Sequence, residues 1–271
     1  MGKKKETARV ISQECLAPGI YSMWIETGLA GEAVPGQFIS IYTKDGARLL
    51  PRPISICEIG DSCLRVVYRV AGKGTDEFSG YQAGDSIDIL GPLGNGFPLE
   101  AARGKKVFLI GGGIGVPPML ELAKQLSGEK QLIMGYRDSR MFLKKEFEEN
   151  GTLYVATEDG SYGTKGNVLD AIRENGLSAD VLFACGPTPM LRALKAYASE
   201  HGIEAWISLE EKMACGVGAC LACVCKSRDV DSHSHVHNKR ICKDGPVFLA
   251  EETVMPVQKP LRRYSISFIR F

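Results

Sequence analysis

The sequence predicts three successive units: an N-terminal antiparallel β-barrel, a central α/β domain with a parallel sheet, and a small C-terminal subdomain built on a cysteine loop. Three observations predict this order. Residues 1–100 consist of short β-branched runs separated by Gly and Pro turns, residues 101–208 alternate strand and helix patterns, and residues 209–257 begin with clustered Cys and Gly. Residues 258–271 form a tail to which the sequence assigns no role.

The composition is that of an ordinary globular protein. The 271 residues are 44% hydrophobic and 24% charged, with a net charge of +1, which gives no general attraction to nucleic acid or membrane surfaces. The longest apolar stretch, 107–120, is too short and too rich in Gly and Pro to span a bilayer. The N-terminus has no apolar region of the kind found in secretory signals. We therefore expect a cytoplasmic protein with no nucleic-acid or membrane partner, in which clustered cysteines bind metal rather than form disulfides.

The first unit contains five strand-like segments rich in β-branched and aromatic residues. They are 19–27, 36–43, 54–60, 64–70 and 86–92. A short helical stretch is predicted at 75–80. Strands at this spacing, with no helical pattern between most of them, are typical of a barrel or sandwich, and we expect the barrel.

The pattern changes near residue 104, where the apolar strand 105–110 precedes a helix at 117–126. In that helix Met119, Leu120, Ala123 and Leu126 follow helical spacing. The alternation then continues with strands at 130–137, 151–159, 179–187 and 204–210 and helices at 144–150, 167–175 and 189–201. Alternation of this kind predicts a parallel sheet covered by helices.

Two turns in this second unit have the residues of a dinucleotide site. The segment "VFLIGGGIGVPPML" places Gly111, Gly112, Gly113 and Gly115 between a strand and a helix. A glycine turn at a helix N-terminus favours an anion such as a pyrophosphate, but a tight turn without a ligand is an equally good explanation of this segment alone. The segment "FACGPTPML" repeats the layout with Cys185, Gly186 and Pro187. Two such turns at the carboxyl ends of parallel strands fit a ligand lying across the crevice between them.

The order of these motifs resembles the ferredoxin–NADP reductase superfamily. "GGGIGVPP", followed about 70 residues later by "CGPTPML", resembles its pyridine-nucleotide domain, and "RPIS" at 52–55 resembles the Arg-Pro-x-Ser signature of its flavin barrel. The resemblance implies an FAD site formed by two segments. Its residues are Arg52, Pro53, Ile54, Ser55, Val67, Tyr68, Arg69, Gly74 and Thr75. An Arg guanidinium suits a diphosphate, although Arg52 also fits an exposed strand start and Tyr68 also fits the barrel core.

The choice between NAD and NADP depends on the segment "GYRDSR" that ends the second strand of the sheet. Asp138 is suited to a ribose hydroxyl and favours NAD, whereas Arg137 or Arg140 is suited to the 2′-phosphate of NADP. Cys185 fits either a buried small side chain or a place near the nicotinamide. The resemblance favours NAD.

The cysteine run "CGVGACLACVC" indicates an iron–sulfur cluster. Cys215, Cys220 and Cys223 have the C-x4-C-x2-C spacing of the plant-type [2Fe–2S] loop. Zinc is the rival metal, but zinc sites prefer paired short spacings. The expected fourth ligand is Cys242. Cys225 is expected to be a packed thiol, because in an extended segment its side chain would point away from that of Cys223.

Other potential ligands are given ordinary roles. His233, His235 and His237 alternate in "HSHVH", which would place them on one face of a strand, but a solvated loop is the expectation. Cys15, Cys57 and Cys63 have no cluster spacing and are expected to be buried or half-buried thiols.

The run "LEEKMACGVGACLACVCK" with the later "CKDGPVF" closely resembles the electron-transfer subunits of two-subunit, NAD-dependent dihydroorotate dehydrogenases of pyrimidine synthesis. The resemblance covers about residues 8–250. It implies FAD, one [2Fe–2S] cluster, NAD(H) and an FMN-containing catalytic partner in a heterotetramer. Two departures are a longer tail beyond about residue 256 and a long excursion at 226–240.

Two other functions remain open from the sequence. One is a reductase subunit of another assembly, of the ferredoxin–NADP oxidoreductase, sulfhydrogenase or sulfide dehydrogenase type. The other is a non-catalytic metal-binding regulator that keeps the fold.

Overall fold

The computed structural model describes residues 3–231 and 235–255. The tail at 258–271 and His233 lie outside the described residues. No helix within the described ranges is long and apolar enough to cross a membrane.

The first unit is a closed antiparallel barrel, as the sequence predicted, with six strands instead of the five expected. The strands are β1 (Lys4–Ala17), β2 (Ile20–Glu26), β3 (Phe38–Ile41), β4 (Arg52–Ile59), β5 (Cys63–Arg69) and β6 (Ser86–Leu93). Their order around the barrel is β1-β2-β5-β4-β3-β6. Helix α1 (Lys73–Ser79) connects β5 to β6. Ile, Val and Leu side chains from alternate positions fill the interior.

In the first unit the sequence analysis missed strand β1, which closes the barrel by pairing with both β2 and β6. Along its fourteen residues only Ala8 and Val10 are buried. Because most of its side chains face solvent, the strand has no extended apolar alternation, and its charged sequence resembles that of a loop.

The second unit is a seven-stranded sheet with the order β10-β9-β8-β7-β11-β12-β15. Its strands are β7 (Val107–Gly112), β8 (Lys130–Tyr136), β9 (Thr152–Thr157), β10 (Thr164–Lys165), β11 (Val181–Cys185), β12 (Glu204–Ser208) and β15 (Val247–Leu249). Its helices are α2 (Pro118–Gln125), α3 (Lys144–Glu148), α4 (Val168–Glu174) and α5 (Thr188–His201). The chain runs outward from β7 to β10 and then returns to the other side of β7 with β11. This reversal creates the crevice in which sheets of this class bind ligands.

The cysteine-rich segment is attached to both other units. It contains β13 (Val224–Lys226), β14 (Asn238–Arg240) and α6 (Ile241–Asp244). Strand β15 then pairs antiparallel with β12 and extends the parallel sheet. Toward the barrel, the segment shares one apolar cluster with strands β3 and β6, formed by Phe38, Leu93, Cys223, Ile241, Cys242 and Phe248.

Candidate functional site

A cleft of about 720 Å³ lies at the carboxyl ends of β7, β8 and β11. Both units line it: Ile20 and Arg69 come from the barrel, and Gly112, Gly113 and Pro187 come from the two turns predicted to bind a dinucleotide. The reversal of strand order explains this position, since the helices on either side leave a gap there. The cleft therefore brings a predicted flavin residue, Arg69, together with predicted nucleotide residues.

The two glycine turns touch each other, and this contact accounts for several of the glycines. Gly111 pairs with Cys185 in the sheet. A Cβ on Gly115 would lie 2.5 Å from the carbonyl carbon of Cys185 and 2.6 Å from Cα of Gly186, and one on Gly112 would lie 2.5 Å from Sδ of Met190. Gly113 differs, because it has a left-handed φ of +55° and open space around its Cβ position.

Cys185 lies at the end of β11, directly below the glycine turn. Burial raises the pKa of its thiol to about 12, a shift that a hydrogen bond with Ser208 partly opposes. The side chain is therefore a neutral thiol at neutral pH. It is buried, as one of the two sequence interpretations expected.

One end of the cleft carries charges of both signs. Asp138 accepts hydrogen bonds from Nε of Arg140 at 2.8 and 3.0 Å and from the Arg140 backbone N–H at 3.0 Å. These bonds lower the pKa of Asp138 to about 2. Arg137 and Glu158 line the same end. Sequence reasoning missed Glu158, which reaches this place because its N–H donates to the Tyr136 carbonyl at 3.1 Å.

The candidate flavin residues of β4 lie at the start of that strand. The guanidinium of Arg52 covers Gly74 at the start of α1, where a Cβ would lie 2.5 Å from Nε of Arg52. An Arg fork next to a glycine at the start of a helix offers several N–H donors to one anion, which suits a diphosphate. Pro53, Ile54 and Ser55 are half-buried on the same strand, where Ser55 pairs with Phe38 of β3.

The remaining candidate flavin residues have structural contacts. Tyr68 is buried, donates a hydrogen bond to Oε1 of Gln13 at 2.8 Å and stacks on Tyr21, and Val67 is also buried. The Thr75 hydroxyl accepts N–H groups from residues 71 and 72 at 2.9 and 3.2 Å and thereby organises the loop before α1. Their contact with a flavin stays a prediction.

The four predicted cluster cysteines come together in two pairs. Sγ of Cys215 lies 3.2 Å from Sγ of Cys220, and Cys223 and Cys242 are buried in one cluster, where Cys223 adds to the burial that raises the pKa of Cys242. Gly218, with φ of +82°, directs its N–H to Sγ of Cys242 at 3.2 Å. Gly216, with φ of +68°, is the other left-handed glycine of the loop.

The electrostatic environment of the Cys215 thiol supports metal ligation. Burial alone would raise the pKa of Cys215, but backbone N–H donors of residues 220 and 217 outweigh it and lower the pKa to about 6. Thiolates are the form that binds metal. Burial raises the pKa of Cys225, in β13, to about 11, as expected for a packed thiol. No group of three or more His, Cys, Asp or Glu residues in 3–231 and 235–255 has the arrangement of a single-ion site. Two thiol pairs correspond to two cysteine ligands for each iron of a [2Fe–2S] cluster.

The other predicted thiols and histidines are separate from this site. Cys57 is buried and Cys63 is half-buried, as expected. The expectation for Cys15 was wrong: it is exposed, and its thiol donates to the Ala17 carbonyl at 3.1 Å at a register shift near the end of β1. His235 and His237 are exposed.

Comparison with known proteins gives one consistent result. Residues 210–254 match the family model described as the iron–sulfur cluster binding domain of dihydroorotate dehydrogenase B. The chain is 44% identical over 261 residues to the electron transfer subunit of dihydroorotate dehydrogenase B (NAD(+)) from Geobacillus sp. (strain WCH70), covering 93% of this chain and 99% of the relative. The corresponding subunit from Bacillus caldolyticus is 45% identical over 260 residues, with the same coverage.

Solved structures show the same architecture. A structure of an NADH-dependent reduced ferredoxin–NADP oxidoreductase matches with a TM-score of 0.82 and 30% identity, covering 92% of this chain and 90% of that chain. A ferredoxin–NADP⁺ reductase from Neisseria gonorrhoeae with bound FAD and NADP matches with a TM-score of 0.62 and 16% identity, covering 73% of this chain and 92% of that chain. The second match supports the fold alone.

Proposed function

The chain belongs to the family of electron transfer subunits of NAD(+)-dependent dihydroorotate dehydrogenase B, and from this premise we propose that it carries electrons between a catalytic dihydroorotate dehydrogenase subunit and NAD. The family places this transfer in pyrimidine synthesis. When bound, FAD exchanges two electrons with a nicotinamide and single electrons with a [2Fe–2S] cluster.

The observation that carries the proposal is the contact of the barrel with both other sites. On one side Arg69 of β5 lines the nucleotide cleft. On the other side the cysteine loop packs on the barrel, where the Cβ position of Gly216 lies 3.2 Å from Oγ of Ser40 and 3.3 Å from Cδ1 of Leu93. A flavin held on the barrel is therefore close to both electron-exchange partners.

We assign the binding roles residue by residue. Arg52 and Gly74 hold the flavin diphosphate, with Pro53, Ile54 and Ser55 along the same strand. Cys215 and Cys220 bind one iron, and Cys223 and Cys242 bind the other. Gly216 and Gly218 shape the loop so that N–H groups face the cluster sulfurs, an arrangement that tunes the reduction potential.

The nucleotide in this proposal is NAD rather than NADP. Gly113 and Pro187 line the cleft where a pyrophosphate would cross between the two turns. Because Asp138 engages Arg140 through four hydrogen bonds, this arginine is already compensated and offers little to a 2′-phosphate. Arg137 also lines the cleft and, as a cation, would favour the 2′-phosphate of NADP. The carboxylate of Glu158 lines the same cleft and would repel that phosphate.

The partner in this proposal is an FMN-containing catalytic subunit, with two copies of each chain in a cytoplasmic heterotetramer. Leu221, between two proposed ligands, is 56% exposed. The cysteine loop therefore presents an apolar side chain where an electron partner could approach.

The experiment that tests the function combines the anaerobically purified chain with the catalytic subunit and follows NAD⁺ reduction by dihydroorotate. We expect turnover with the wild-type chain and none with Cys220→Ser, while Cys225→Ser serves as the matched cysteine control. Turnover that is equally fast without this chain would contradict the proposal. If the chain reduces ferredoxin or sulfur acceptors from NADH but gives no turnover with dihydroorotate, it belongs instead to the other reductase assemblies, as the match at 30% identity would allow.

A further inference from the structure

Five charged side chains meet where the barrel packs against the nucleotide domain, away from the residues that line the cleft. We call them the interdomain charge cluster: Glu58 of β4, Arg65 of β5, Glu121 and Lys124 of α2, and Glu146 of α3. Glu58, Arg65 and Glu121 are only 6%, 8% and 6% exposed. Charged residues are rarely buried to this extent unless they are paired.

The pairing in this cluster crosses the domain boundary at three points. Glu58 accepts hydrogen bonds from Arg65 within the barrel and from Nζ of Lys124 on the nucleotide domain. Oε2 of Glu121 accepts the backbone N–H of Ile59 at 2.8 Å. Oε1 of Glu146 lies 3.7 Å from Nη1 of Arg65. Within the barrel, Nε of Arg65 also donates to Oγ of Ser22 at 2.8 Å.

The elements joined by this cluster are the ones that carry the two proposed cofactor motifs. Strand β4 begins with Arg52–Ser55 and ends with Glu58 and Ile59, so the flavin motif and the cluster are about 10 Å apart along one strand. Helix α2 begins just after the glycine turn, and Lys124 lies about 9 Å further along its axis. The interdomain charge cluster therefore joins β4 and α2 at the ends remote from the two cofactor motifs. This contact sets the distance between the two motifs.

Hydrogen bonds and ion pairs can fix the relative orientation of two domains in a way that apolar packing cannot. Hydrophobic contact is non-directional and permits small rotations at an interface. Ion pairs and hydrogen bonds are short and angle-dependent, although buried ion pairs often add little net stability. Their presence at an interdomain boundary is thus better explained by orientation than by stability.

We propose that the interdomain charge cluster is a positioning device that fixes the nucleotide domain on the barrel at the separation needed for hydride transfer between nicotinamide and flavin. This inference rests on the proposed function. Its members are positioning residues, because none of them lines the cleft in which the nucleotide is proposed to bind.

The test uses the full chain carrying FAD and its cluster, and compares Lys124→Met with the wild type. Lys124 is a suitable residue to replace because its side chain is 39% exposed. Glu58 keeps Arg65 as a partner when Lys124 is removed, so its charge stays paired. We expect the rate of flavin reduction by NADH in stopped flow to fall between about 10-fold and 100-fold, since a misplacement of about 1 Å can cost this much. The Kd for NADH, the FAD content and the EPR spectrum of the reduced cluster should stay at wild-type values, and Lys124→Arg should restore most of the rate.

The matched control is Arg103→Met, which removes a cation from an exposed ion pair with Glu100 and should leave the rate unchanged. Glu121→Ala is the second variant, should Lys124→Met fold poorly. It should slow flavin reduction similarly and accelerate hydrogen exchange at the Ile59 N–H, a readout that needs no nucleotide.

Two results would overturn the inference: wild-type flavin reduction in both variants, or a rate loss explained entirely by a weaker Kd for NADH. Failure of the proposed function looks different, because NADH would then leave the flavin of the wild-type chain oxidised.

Discussion

Adding one methyl group at Gly115 should test the nucleotide site most sharply. A Cβ there would lie 2.5 Å from the carbonyl carbon of Cys185 and 2.6 Å from Cα of Gly186, whereas ordinary contact begins at 3.4 Å. All of these neighbours are backbone atoms, so no side chain can move aside. The glycine turn must therefore shift by about 1 Å from the end of β11. Overpacking of this kind costs about 1–3 kcal/mol of stability, and a shift of that size can slow catalysis about 100-fold.

For Gly115→Ala we therefore expect flavin reduction by NADH to fall about 100-fold while FAD and cluster content are kept. The unfolding temperature should fall by a few degrees, at about 2–4 °C for each kcal/mol. The assays are stopped-flow flavin absorbance and scanning calorimetry. Gly31→Ala is the control, because open space surrounds its Cβ position and its φ is not left-handed. A Gly115→Ala variant with the wild-type rate would refute the reasoning.

The remaining predictions concern the other sites. Gly74→Ala should displace the Arg52 guanidinium and lower FAD retention after dialysis, and unchanged flavin content would remove Arg52 from the diphosphate site. Cys220→Ser should abolish the EPR signal of the reduced cluster while Cys225→Ser retains it, and an intact signal in the first variant would disprove the ligand set. Burial alone would raise the pKa of Glu58, but hydrogen bonds from Lys124 and Arg65 outweigh it and lower the pKa below its usual 4.5. The stability that this ionisation contributes should therefore be complete well above pH 4.5 and be lost as the pH falls through the lower folded-state pKa. Denaturant unfolding at several pH values should show that loss in the wild type and a weaker one in Glu58→Gln, and equal acid sensitivity would contradict it.

Local sequence patterns were sufficient for most of the fold. Strands such as β7 and β11 are continuous apolar runs, which mark the interior of a parallel sheet, and the glycine turn lies where the chain passes from β7 to α2. Strand β1 was invisible because pairing on both sides, and not apolar alternation, keeps it in the barrel. The addition of β15 to the sheet was equally hidden, since three residues carry no periodicity.

The candidate site was predictable where spacing fixes the chemistry. The C-x4-C-x2-C run indicated three cysteines that do come together, and Cys242 joins them through the packing of α6 on β14. Sequence motifs do not distinguish a ligand contact from a structural one, as the buried Tyr68 and the loop-forming Thr75 hydroxyl show. Nor could they reveal the pairing of Glu58 with Lys124, which are 66 residues apart and meet only when two domains pack.

Chemical analysis of anaerobically purified protein would show whether this chain holds a flavin beside a two-iron cluster. We expect about two iron atoms, two acid-labile sulfides and one FAD for each chain. Zinc in place of iron, or no labile sulfide, would contradict it.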